Sequence, residues 1–136
     1  MYPIDLERLR EDMMTFKVII AGGREFTDYS FLEQKVDLLL SEKSQSHRIV
    51  IVEGGARGAD RLGRNYAHSR GYEVVTFPAN WDKYGKGAGF IRNREMANYA
   101  DALIAFWDGQ SPGTKHMINE AKEKGLAVRI QRYDKN

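Results

Sequence analysis

Ala21-Gly22-Gly23-Arg24 follows directly on the apolar run Phe16-Lys17-Val18-Ile19-Ile20, and the arrangement recurs twice in the chain. Glu53-Gly54-Gly55-Ala56-Arg57-Gly58 follows Ile49-Val50-Ile51-Val52, and Asp108-Gly109-Gln110-Ser111-Pro112-Gly113-Thr114 comes shortly after Ala102-Leu103-Ile104-Ala105-Phe106. Glycine at such a turn lets backbone N–H groups come close to a ligand, and the start of a following helix favours negative charge. Three such turns on one sheet edge would form a rim for phosphate. Gly22 and Gly23 open the first turn, and Arg24 offers a forked set of donors. Gly54, Gly55 and Gly58 suggest close backbone approach in the second. Asp60 has three candidate uses there: capping the next helix, holding Arg57, or accepting from a ribose hydroxyl. In the third turn Asp108, Gly109, Ser111, Gly113 and Thr114 form a cradle, and Trp107 is placed to stack on a base. Arg92, Met96 and Tyr99 share a helical face at i, i+4, i+7 spacing, which brings Arg92 and its neighbour Asn93 toward the sheet edge. Arg24, Arg57 and Arg92 are then the charges that neutralise a phosphate.

The common phosphate fingerprints do not match. Gly22-Gly23-Arg24-Glu25-Phe26 is not G-x-G-x-x-G, which argues against classical NAD binding. Gly109 and Gly113 stand one residue too close for a Walker A loop, and Thr114 precedes Lys115 instead of following it. His47, His68 and His116 lack ligand spacing, so no metal site is expected, and no nucleophilic triad can be assembled. The net charge of +2 argues against nucleic acid as the main partner. The chain holds no cysteine, which removes disulfides and thiolate sites and makes a cytoplasmic location the default. Acidic residues at 5, 7, 11 and 12 are foreign to a secretory signal, and no run is long and apolar enough for a membrane helix.

The elements that must carry these turns alternate. Strand-like runs at 16–21, 49–53, 73–77, 102–106 and 126–131 are continuously apolar, as strands covered on both faces are. Between them lie helices: one starting near Asp28, one over 59–70 ending at Gly71, one over 91–99, and one from about 114 to 124 ending at Gly125. This pattern predicts a three-layer α/β/α Rossmann-like parallel sheet of about five strands in the order 3-2-1-4-5, with the ligand crevice between strands 1 and 4. Residues 1–15 read as an extra amphipathic helix ahead of a single domain over 16–136. Residues 80–89, with Trp81 and Tyr84, read as a glycine-rich loop suited to fold over a base or sugar.

The ordered set Ala21 to Tyr29, Glu53 to Asp60, Pro78-Ala79-Asn80-Trp81, Gly89 to Met96, Asp101 to Gly109 and Ser111-Pro112-Gly113-Thr114 resembles the YspA-type, YpsA-related branch of the SLOG superfamily over roughly 16–131. The resemblance implies a Rossmann-like domain of bacteria and their phages that binds nucleotides or nucleotide-derived ligands, with a sensing or regulatory role and no firmly attached activity. It also implies a homo-oligomer, since relatives are commonly dimers or larger. The better-understood LOG phosphoribohydrolases release a base from nucleoside monophosphates. Arg92-Asn93-x-x-Met96 is similar to the first half of their motif, which gives Arg92 the position of the catalytic arginine. The stretch 108–114 is similar to the second half, but Met117 stands where that family has its glutamate. Glycoside cleavage needs a carboxylate, and Glu120 lies a helical turn further on. Base release by Glu53, Asp60, Asp108 or Glu120 is therefore the alternative to ligand binding alone. A third reading comes from the DprA-like members of the superfamily, which bind single strands; Trp81 and Tyr84 would then stack bases.

Overall fold

The computed structural model describes residues 14–134. Five strands alternate with helices: β1 (Met14–Gly22), α1 (Tyr29–Leu40), the single turn α2 (Lys43–Ser46), β2 (His47–Glu53), α3 (Ala59–Arg70) and β3 (Glu73–Thr76). Then come α4 (Trp81–Tyr84), a 3₁₀ turn (Gly85–Gly87), α5 (Ala88–Tyr99), β4 (Ala102–Trp107), α6 (Pro112–Glu123) and β5 (Ala127–Arg132). All strand pairs are parallel, and the sheet order is β3-β2-β1-β4-β5, as the sequence pattern predicts.

The continuous apolar runs divide between two cores because successive strand side chains point to opposite faces. On one face Val18, Ile20, Ile49, Ile51 and Ile104 meet Leu32, Val36 and Leu40 of α1 and Tyr66 and Ala67 of α3. On the other, Ile19, Ala21, Val50, Val52 and Leu103 meet Met96 and Ala97 of α5 and Met117, Ile118 and Ala121 of α6. Helices α1 and α3 thus leave the sheet on the side opposite α5 and α6. The connections after β1 and β4 diverge to opposite faces, which opens a crevice at the carboxyl ends of these two strands.

Local signals explain most boundaries. Asp28 caps α1 by accepting from the Phe31 N–H at 3.1 Å, and Gly71 ends α3 in a left-handed conformation. Four boundaries depart from expectation. Strand β1 begins at Met14, so the last two positions of the helix expected over 1–15 are strand; the rest of that helix lies outside the described residues. Residues 80–89 form α4 and a 3₁₀ turn instead of a loop, because the Asn80 side chain accepts from the Lys83 N–H at 3.0 Å and starts a helical turn. The continuation makes α5 begin at Ala88, ahead of the expected Ile91. The last helix starts at Pro112, whose missing N–H costs nothing at the first helical position. Among the described residues no helix is long and apolar enough to cross a membrane.

Candidate functional site

The three glycine turns meet. The Gly23 N–H donates to the Phe106 carbonyl and the Ala59 N–H donates to the Gly23 carbonyl, each at 3.2 Å, so the first turn is bonded both to the end of β4 and to the start of α3. Gly58 makes this contact possible. Its φ of 79° is left-handed, and a Cβ there would lie 2.6 Å from the Arg24 carbonyl oxygen. Beside the junction opens a cleft of about 570 Å³, within the usual range for small-molecule sites. Gly22, Gly23, Arg24, Asp60, Arg92, Asn93, Asp108, Ser111, Gly113 and Thr114 all line it. Met117 is buried against its floor, and the half-exposed Trp81 and Phe90 stand at its rim.

Three cations line the cleft: Lys86 and two arginines, Arg24 and Arg92. Arg24 is exposed and, among the described residues, has neither an ion pair nor a hydrogen bond. Arg92 is held: one terminal nitrogen donates to the Gly54 carbonyl, and its Nε donates to Asn93 Oδ1 at 3.1 Å. Its other terminal nitrogen has no acceptor among the described residues. Burial pulls the Arg92 guanidinium below its ordinary value, with Asp60 opposing and the charge of Arg24 adding to the pull. A guanidinium nonetheless stays protonated. Helix α6 points its first turn at the same cleft, and the N–H groups of a first helical turn have no acceptor inside the helix.

Several polar side chains singled out in the sequence hold the turns themselves. Asp60 Oδ2 accepts from the N–H groups of Gly54 and Ala56, both at 3.2 Å, so the carboxylate braces the second turn instead of capping α3, whose N-cap is Gly58. Its Oδ1 has no partner among the described residues and Asp60 lines the cleft. Burial pushes the Asp60 carboxyl up to about 6, against the Ala56 N–H and Arg92, with Glu53 adding to the rise. Asp108 Oδ1 accepts from the N–H groups of Gln110 and Ser111, both at 2.8 Å, and shapes the third turn. Asn93 Nδ2 donates to the Gly113 carbonyl at 3.3 Å and ties α5 to the start of α6.

Six expected ligand residues stand elsewhere: Gly54, Gly55, Arg57, Gly58, Trp107 and Gly109. Trp107 does not line the cleft: its indole N–H donates to the Ser111 carbonyl at 3.1 Å and Arg132 lies over its ring. Gly109 is packed against the Arg132 guanidinium. Gly58 is the junction between turns. Arg57 is paired with Glu25 at 2.6 Å and does not line the main cleft. Gly54, Gly55 and Arg57 instead line a side chamber of about 350 Å³ whose wall includes Arg24, Ala56, Trp81 and Arg92, residues that the main cleft shares.

Of the other carboxylates weighed for chemistry, Glu53 is fully buried, accepting from the Gly55 N–H at 2.8 Å and from the Thr76 hydroxyl. Glu120 lies 3.4 Å from His116 and 3.7 Å from Arg94. Tyr133 was not foreseen. It sits just past β5, lines the cleft, and its hydroxyl occupies the place a side chain at position 23 would take. Its signal was positional: with β5 beside β4, the residue after β5 falls on the ligand edge.

A parallel five-stranded sheet with a lined crevice at its switch point defines a Rossmann-like domain. The family described as the YspA, cpYpsA-related SLOG family matches residues 16–84. Gene 61 protein of Mycobacterium phage D29 is 37% identical over 119 residues, covering 82% of this chain and 93% of that protein. The chain belongs to the YspA, cpYpsA-related SLOG family, and the phage relative accords with a bacterial or phage origin. Among solved structures, DprA from Helicobacter pylori, described for its single-stranded DNA binding mode, superposes with a TM-score of 0.66 at 24% identity, over 97% of this chain and 72% of that one. DprA from Streptococcus pneumoniae gives 0.65 at 19% identity over 86% of this chain, which spans half the length of that protein. These two likenesses are of fold.

Proposed function

We propose that the cleft binds the phosphate of a nucleotide or nucleotide-derived ligand, as a sensing or regulatory domain. One observation carries the reading: Arg24 and Arg92 both line one cleft at the start of α6, with no carboxylate ion pair among the described residues. A phosphate there would accept from the Arg24 fork, from the open nitrogen of Arg92 and from first-turn N–H groups of α6. Asp60 Oδ2 and Asp108 Oδ1 each accept two backbone N–H groups of the turns and so hold the cradle in shape before any ligand arrives. Asp60 Oδ1 is left to accept from a sugar hydroxyl.

Titration calorimetry with AMP and adenosine tests this. AMP should bind and adenosine should not, and Arg24→Ala should abolish the difference. Equal binding of the two, or of neither, would refute the phosphate reading. Because DprA of Helicobacter pylori shares the fold and is described as binding single-stranded DNA, a short oligonucleotide joins the panel; steep weakening with salt would mark backbone binding.

Asp60 favours one second reading, base release. It lines the cleft, its Oδ1 has no partner among the described residues, and burial raises its carboxyl to about 6, near neutral pH. Chromatography for free adenine after incubation with AMP tests this, and Asp60→Asn should abolish any release found.

A further inference from the structure

We propose that the ligand continues past the two arginines into the side chamber, so that the site suits a pyrophosphate-linked dinucleotide better than a nucleoside monophosphate. The inference rests on the phosphate reading above and extends it to the ligand class. Main cleft and side chamber share Arg24, Ala56, Trp81 and Arg92, so they join at a waist that carries two guanidinium groups. These like charges repel, and the charge of Arg24 is among the influences on Arg92. A single phosphate relieves part of that repulsion. Two linked phosphates place an anion at each arginine and lead the chain of the ligand from one chamber to the other.

Away from the waist the side chamber has one cation of its own, Arg57, which is paired with Glu25 at 2.6 Å. The rest of its wall is Gly54 and Gly55 with Pro78 and Ala79, beside the shared Trp81. Trp81 is 50% exposed, a large apolar surface left in water when the chamber is empty. A flat wall of this kind takes a neutral ring. The main cleft, at about 570 Å³, already accommodates one nucleoside with Asp60 as acceptor for its sugar, so the ring against Trp81 belongs to a second moiety.

The experiment compares AMP with diadenosine diphosphate by titration calorimetry, on the wild type and on Ala79→Trp. Ala79 lines the side chamber and not the main cleft, so a large side chain there fills one and spares the other. Stacking one base on an aromatic ring corresponds to roughly tenfold in affinity or more. The wild type should therefore bind the dinucleotide at least about tenfold tighter than AMP. Ala79→Trp should bring the dinucleotide down to the affinity of AMP and leave AMP unchanged, which also shows that the variant is folded. Equal affinities in the wild type would overturn the dinucleotide inference while leaving phosphate binding standing. A variant that weakens both ligands alike, or neither, overturns it too. Failure of both ligands to bind the wild type would remove this inference together with the reading beneath it.

Discussion

Replacing Asp60 by Asn removes an ionisation that the fold disfavours. Burial holds the Asp60 carboxyl at about 6, against ~3.9 for an exposed aspartate. Between those values the folded protein keeps a proton that the unfolded chain has released, so raising the pH through that window weakens folding. About two pKa units correspond to ~3 kcal/mol, lost between roughly pH 4 and pH 6 and absent from the variant. Asparagine retains a carbonyl oxygen for the Gly54 and Ala56 N–H groups, so the turn stays braced. The assay is urea unfolding of both proteins from pH 4.5 to pH 8, read as the difference in stability at each pH. Subtracting the variant cancels the other titrating groups, including Asp37, whose carboxyl the Arg70 hydrogen bond holds below its ordinary value and whose contribution is lost as pH falls. The difference should move in favour of Asp60→Asn by about 2 kcal/mol between pH 4.5 and pH 8, the rest of the ~3 kcal/mol being lost below pH 4.5. Parallel profiles would refute the buried, disfavoured carboxylate.

Gly58→Ala should destabilise by ~3 kcal/mol or more, because it combines a left-handed backbone with a collision against the Arg24 backbone; thermal unfolding checks it. Tyr66→Phe should cost ~1.5–3 kcal/mol in urea unfolding at pH 7, since the buried Tyr66 hydroxyl donates to Asp37 at 2.6 Å. Arg92→Lys should lower AMP affinity by roughly tenfold or more in calorimetry with little loss of stability, because one ammonium cannot hold the Gly54 carbonyl and a phosphate with a planar fork.

The fold was legible because the strands are short runs rich in apolar residues, three of them leading into glycine turns, and the alternation with amphipathic helices leaves few topologies. Val18 and Ile20 on one face, with Ile19 and Ala21 on the other, follow directly from a period of two. The cleft was legible at the backbone level, since the turns that carry glycine do meet. Side-chain direction was not. Asp60 and Trp107 have the right chemistry for a ligand, but nearby backbone N–H and carbonyl groups claim Asp60 Oδ2 and the Trp107 indole. Residue type gives no warning of such local competition. Trp81 lay in a stretch read as a loop because its glycines outweighed the single capping Asn80. Tyr133 carries no motif and is found only once the strand order is known.

The most direct test of the site is an amide-resonance titration of isotopically labelled protein with AMP. The Gly23, Arg24, Gly113 and Thr114 amides and the Arg92 Nε–H should shift together and saturate at one concentration. The same resonances standing still while AMP binds, or shifts centred on another surface, would contradict a phosphate held where the glycine turns meet.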